Sequence, residues 1–155
     1  MDDMSSQPRG DIPASSPSDS RWQQVLTHRP VDDGTRETAA ARFAERGITP
    51  EQLKAVLADG GDALYAAAAG GQPGWADPFG GPLAVALLSA EVSIFAAHLN
   101  SRASGVRSAA VAELLDEYSA VTVAAELGVA RQKVYEIARA GLRPPYIEQV
   151  PWRTS

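Results

Sequence analysis

Residues 120–139 read AVTVAAELGVARQKVYEIAR, and this stretch decides how the C-terminal part of the chain folds. Two runs with helical spacing flank a Gly-Val-Ala turn. The first, Ala120–Leu127, has Ser119 in front of it as an N-cap, and the second, Arg131–Ala140, is stopped by Gly141. Two helices that cross closely need a small residue at the crossing, and Ala124 supplies it. The turn needs a residue that tolerates positive φ, and Gly128 supplies that. Val123 and Leu127 are expected to face inward from the first helix, with Val129 plugging the turn. Val134, Ile137 and Ala138 are expected to face inward from the second. Two such helices cannot bury their apolar faces alone. The run Val106–Tyr118 is therefore expected to form a third helix. It carries Val106, Ala110, Val111, Leu114, Leu115 and Tyr118 at three- and four-residue spacing.

In these features residues 105–143 resemble the tri-helical helix-turn-helix unit of bacterial DNA-binding regulators. The resemblance implies double-stranded DNA as partner, with the second helix entering the major groove. Its implied base contacts are Arg131, Gln132, Tyr135 and Glu136, since arginine pairs bidentately with guanine and glutamine with adenine. Its implied phosphate contacts are Ser119, Thr122, Lys133, Arg139 and Arg143. A homodimer is implied as well, because one recognition helix covers only a half-site. The chain departs from related motifs at Ala130, where Ser or Thr is usual before the second helix; losing that cap costs about 1 kcal/mol.

Upstream lies the most apolar run, Leu83–Leu99, of 17 residues. As a helix it is about 25 Å long, short of the ~30 Å hydrocarbon core of a bilayer. It also holds Glu91 and His98. It is expected to be a buried helix of a soluble protein, ended by Asn100–Gly105, with residues 83–104 a candidate dimer interface because it is apolar on nearly every side. Glu91 is expected to face solvent or to pair with Arg102 or Arg107, and His98 to be a satisfied structural histidine.

Residues 70–82, GGQPGWADPFGGP, form a Gly/Pro connector anchored by Trp75 and Phe79. No lysine and no phosphate-loop pattern accompany these glycines. Residues 35–69 form an acidic helical region. Its first helix starts at Thr35, buries Ala39, Ala40 and Phe43, and ends at Gly47. The next starts at Thr49-Pro50-Glu51 and carries Leu53, Val56 and Leu57; Gly60 and Gly61 break it before Asp62–Ala69. Residues 1–34 are expected to be a disordered tail in which Trp22, Val25 and Leu26 make at most a docking turn and His28 is inert. Residues 144–155 are expected to be extended, with Tyr146, Ile147 and Trp152 as anchors. No strand pattern appears, so the fold class is all-α: a small helical bundle with the C-terminal tri-helical unit.

Composition narrows the function. The chain has 155 residues, 45% of them hydrophobic, enough for a real core. With no cysteine and only His28 and His98, neither disulfides nor a metal site is expected. No nucleophile motif or paired carboxylates stand out, so neither catalysis nor a cofactor is expected. The net charge of −5 excludes a globally basic nucleic-acid coat. Residues 118–143, however, hold four bases (Arg131, Lys133, Arg139, Arg143) against Glu126 and Glu136. Residues 1–30 lack a charged segment followed by an apolar run, so the expected compartment is the cytoplasm, on the nucleoid. The expected function is sequence-specific DNA binding in transcription regulation. Two other classes fit the sequence. One is an antitoxin-like or adaptor module binding a protein through its acidic N-terminal half. The other is a subunit of a DNA-packaging or nucleoprotein assembly.

Overall fold

The computed structural model describes residues 20–30 and 34–142. Among these the chain is all-helical, with seven α-helices, one 3-10 turn and no strand. The expected extended tail 144–155 and Arg143 lie outside the described residues, as do residues 1–19. The chain divides into two compact units, one on residues up to Phe95 and one on residues from Ala96.

The first unit contains α1 (Ser20–Val25), α2 (Thr35–Glu45), α3 (Pro50–Ala58), α4 (Asp62–Gly70), the 3-10 turn Asp77–Phe79 and the start of α5 (Pro82–Glu117). Local chemistry sets these boundaries. Gly47, at φ 75°, ends α2, and the Ile48 amide closes the turn on the Phe43 carbonyl at 3.0 Å. The Thr49 side chain caps α3 by accepting from the Gln52 amide at 3.1 Å, with Pro50 behind it. Asp59 caps the next helix from a distance: its carboxylate accepts from the amides of Gly61, Asp62 and Ala63. Trp75 and Phe79 of the connector pack against the core, as their placement in a Gly/Pro-rich segment suggests.

A disordered tail reaching residue 34 does not describe residues 20–30. Trp22, Leu26 and His28 are fully buried, and Trp22 stacks on Phe43 with ring centroids 5.6 Å apart. The polar composition of the segment hides three large side chains that the core needs. Arg36 ties the segment down by donating to the carbonyls of Arg29 and Thr27 at 2.9 and 3.2 Å.

Glu91 does not face solvent, and its partners are not Arg102 or Arg107. It is buried on α5 and accepts from the Nε and Nη2 groups of Arg29, at 2.8 and 2.6 Å. His28 Nε2 lies 2.5 Å from the same carboxylate. Burial alone pushes the Glu91 carboxyl up, but the bonds from Arg29 and His28 outweigh it and hold the carboxyl below its ordinary range. His28 is therefore a core residue, its ring meeting Phe95 edge-on at 5.3 Å.

Helix α5 also differs from expectation. It runs unbroken through Asn100–Gly105. One internal glycine costs about 1 kcal/mol, too little to end a long helix. At 36 residues α5 is long and apolar enough to cross a bilayer, so the length argument based on Leu83–Leu99 no longer holds. Its apolar character is not all buried. Ala84, Val85, Leu88, Glu91 and Phe95 face the core, while Leu83, Ala86, Ala90 and Ile94 are exposed.

The second unit joins the end of α5 to α6 (Ala120–Leu127) and α7 (Arg131–Ala140). Its core is Val111, Ala120, Val123, Ala124, Val134 and Ile137, with Leu115, Val129 and Ala138 packed around them.

Candidate functional site

The polar face of α7 is positioned by the turn before it. Ser119 accepts from the Thr122 amide at 3.2 Å and starts α6. Gly128 ends it in the left-handed region, φ 70° and ψ 35°, a conformation that strains any residue with a Cβ. The Val129 amide then bonds the Ala124 carbonyl at 3.1 Å, which swings the Val129 side chain onto the core. Ala130 has extended backbone in the N-cap position of α7, with no side-chain hydrogen bond to the helix.

Of the residues expected in this small core, Val123, Ala124, Val134 and Ile137 are buried, and Val129 and Ala138 are half-buried against them. Leu127 is not part of it. As the last residue of α6 it is 41% exposed, because Val129 closes the core beyond the turn. The inward face of α5 is also rotated from the expected one. Val106, Leu114 and Tyr118 are exposed, at 63%, 38% and 51%, and Ala110 is exposed with them; only Val111 and Leu115 turn inward.

Two small residues cause that rotation, and the apolar pattern did not point to them. Ser108 is fully buried. Its hydroxyl donates to the Ala138 carbonyl at 3.2 Å and accepts from the Gly141 amide at 2.6 Å, so α5 caps the C-terminus of α7. One turn earlier, a Cβ on Gly105 would stand 2.7 Å from Leu142 Cδ1. Gly105 and Ser108 thus form a notch for the chain leaving α7. Small residues three apart within an apolar helix were the available signal.

On the opposite side of α7, Arg131, Gln132, Lys133, Tyr135, Glu136 and Arg139 are all exposed. At ~100° per residue, Gln132, Glu136 and Arg139 stand opposite the buried side. Arg131 and Tyr135 flank them on one edge and Lys133 on the other. Lys133 lies 3.6 Å from Glu136, an exposed pair of little energetic weight that offsets the one carboxylate on this face. Ser119 and Thr122 are exposed at the start of α6 with their hydroxyls 3.0 Å apart. Arg143 lies outside the described residues. No family model matches the sequence, and no curated protein or solved structure matches the chain.

Proposed function

We propose that the chain is a sequence-specific DNA-binding protein of bacterial helix-turn-helix type, a transcriptional regulator acting on the nucleoid in the cytoplasm. One observation carries the reading. Two short helices joined through a left-handed glycine pack on each other with every charged side chain of the second turned outward. A helix held this way presents three bases and an amide on one exposed face. Such a face fits the width of a major groove. Arg131, Gln132, Tyr135 and Glu136 take the base-reading role, with Gln132 and Glu136 central. Lys133 and Arg139, with Ser119 and Thr122 at the start of α6, take the phosphate role.

The reading through an acidic N-terminal half is less well supported. Glu91 is buried in an ion pair, Glu51 is bonded to Arg21, and Asp59 caps α4, so these carboxylates are engaged inside the chain.

The test is recovery of genomic DNA fragments on the protein, beside an Arg131→Ala/Lys133→Ala variant. A few sharp peaks sharing one sequence motif, lost in the variant, are expected. Lys133→Ala alone is expected to weaken all sequences alike and to flatten the salt dependence by about one phosphate contact. Arg131→Ala alone is expected to relax base preference. Equal recovery of every fragment, or none, would rule out the reading.

A further inference from the structure

We infer that the outward apolar face of α5 is the seat of the segment that follows α7 in the same chain, residues 143–152, which lies outside the described residues. The face is carried by Leu83, Leu87, Ala90 and Ile94. Leu83 and Ile94 are 49% and 38% exposed, Ala90 is exposed, and Leu87 is half-buried. At ~100° per residue all four stand within about 60° of Gly105 around the helix. Gly105 is where the chain leaving α7 meets α5: a Cβ there would stand 3.3 Å from the Leu142 Cα. The exit also has a direction. Ala138 and Gly141 bond Ser108, and Leu142 lies one turn nearer the start of α5, at Gly105. Continued, that path runs along α5 toward Ile94 and Leu83.

Lengths match along this path. With ~1.5 Å per helical residue, Ile94 stands about 16 Å from Gly105, Leu87 about 27 Å and Leu83 about 33 Å. The segment after Leu142 holds Pro144 and Pro145, and proline-rich chain extends by ~3.1 Å per residue. Ile147 then falls about 16 Å beyond Leu142, level with Ile94, and Trp152 about 31 Å beyond it, between Leu87 and Leu83. His98 stands on the same path, within about 20° of Gly105 and two turns from it. It is buried, while Ala96, Ala97 and Leu99 around it are exposed.

Chemistry and tethering select this occupant. Between Asp62 and Arg102 the only charged residues are Asp77 and Glu91, and Glu91 is buried against Arg29, so the face offers apolar contact alone. The segment brings Tyr146, Ile147, Val150 and Trp152, anchors by composition whose seat the exit from α7 sets. A tethered segment meets the face at an effective concentration on the order of 1 mM, above that of a second copy in dilute solution. It also keeps the translational freedom that a separate partner loses, so a contact of a few helical turns suffices. The inference is independent of the DNA reading, and its test leaves α7 unaltered and uses no DNA.

The experiment is disulfide trapping on the full chain, which has no cysteine of its own. By the same lengths Val150 falls about 25 Å beyond Leu142, and Ala90 about 22 Å from Gly105. The Ala90→Cys/Val150→Cys chain, oxidised with glutathione disulfide, is expected to close a bond within one chain. Ser89→Cys/Val150→Cys is the control. Ser89 is also exposed, but it stands about 100° around the helix from Ala90, on the groove that Leu64, Tyr65 and Val92 help to line. A seated segment concentrates its thiol at Ala90, so the control is expected to close roughly tenfold more slowly. Trp152→Ala in the first chain is expected to bring its rate down to that of the control. Equal rates for the two pairs, or faster closure at Ser89, overturn the inference. So does a rate at Ala90 that Trp152→Ala leaves unchanged. A bond formed only between two chains, read as a doubled mass on a non-reducing gel, would assign the face to a second copy instead.

Discussion

The two cores of this molecule are closed in different ways. The core of residues 20–95 is joined across long stretches of chain: His28 and Arg29 reach Glu91, 63 and 62 residues away, and Gln52 donates to the Phe79 carbonyl. Its centre holds a buried charge. The core of α6 and α7 lies within residues 111–137 and contains only apolar side chains. Ser108 adds a polar tie from α5 to the end of α7. The first core therefore adds a buried ion network to a large apolar cluster, while the second rests on a few small apolar contacts and the geometry of one turn.

The most direct way to break that contrast is Glu91→Gln. Removing one member of a buried pair leaves the other uncompensated, at a cost of about 3–5 kcal/mol. Denaturant unfolding followed by tryptophan fluorescence measures it, since Trp22 lies in that core. The pH dependence tests the cause. The folded Glu91 carboxyl is held below its ordinary range, so its stabilisation is complete above the unfolded pKa. It is lost as pH falls through the lower, folded value. The parent chain is expected to lose stability below about pH 4, and the gap between it and Glu91→Gln is expected to close there. A gap of equal size at neutral and acid pH would mean that packing, not charge, accounts for the cost.

A smaller effect sharpens the comparison by holding the chemistry constant. Gly47 ends α2 in the first core and Gly128 ends α6 in the second, at φ 75° and 70°. Neither has an atom within 4 Å of the Cβ an alanine would add. Gly47→Ala and Gly128→Ala are therefore expected to cost the same backbone strain, about 1 kcal/mol each. Thermal unfolding of the two variants measures it. A clearly larger loss at Gly128 would show that the turn before α7 carries more than its own conformation.

What could be read from the sequence follows the same division. Signals confined to one turn of chain were legible: the caps at Thr49 and Ser119, the left-handed Gly47 and Gly128, and the break at Gly60 and Gly61. The buried and exposed sides of α7 were legible because Val134, Ile137 and Ala138 fall on one side and the charges on the other. Glu91 was not, since its partners lie more than 60 residues upstream in a segment whose Ser, Asp and Pro content masks Trp22, Leu26 and His28. On α5 two apolar faces overlap. Val106, Ala110, Leu114 and Tyr118 make one, while Gly105, Ser108, Val111 and Leu115 make the other. Counting hydrophobic residues favours the first. The structure takes the second, because the chain leaving α7 needs the space at Gly105 and the hydroxyl of Ser108. Leu127 was misplaced for a related reason: helical periodicity says nothing about where the chain goes after the helix ends.

The smallest expected effect lies inside the second unit, where two neighbouring helices start from almost the same backbone. Ser119 has φ −71° and ψ 154°, and Ala130 has φ −71° and ψ 150°. Ser119 accepts from the Thr122 amide, whereas the Lys133 amide three residues after Ala130 has only the Ala130 carbonyl, at 2.9 Å. A hydroxyl at 130 would meet that amide as Ser119 meets Thr122. Ala130→Ser is thus expected to stabilise the chain by about 0.5–1 kcal/mol, and Ser119→Ala to destabilise it by a similar amount. Denaturant midpoints at constant slope measure both, and the opposite signs are the test. A neutral Ala130→Ser beside a costly Ser119→Ala would mean that the hydroxyl pair of Ser119 and Thr122, not the backbone cap, is what α6 gains from its first residue.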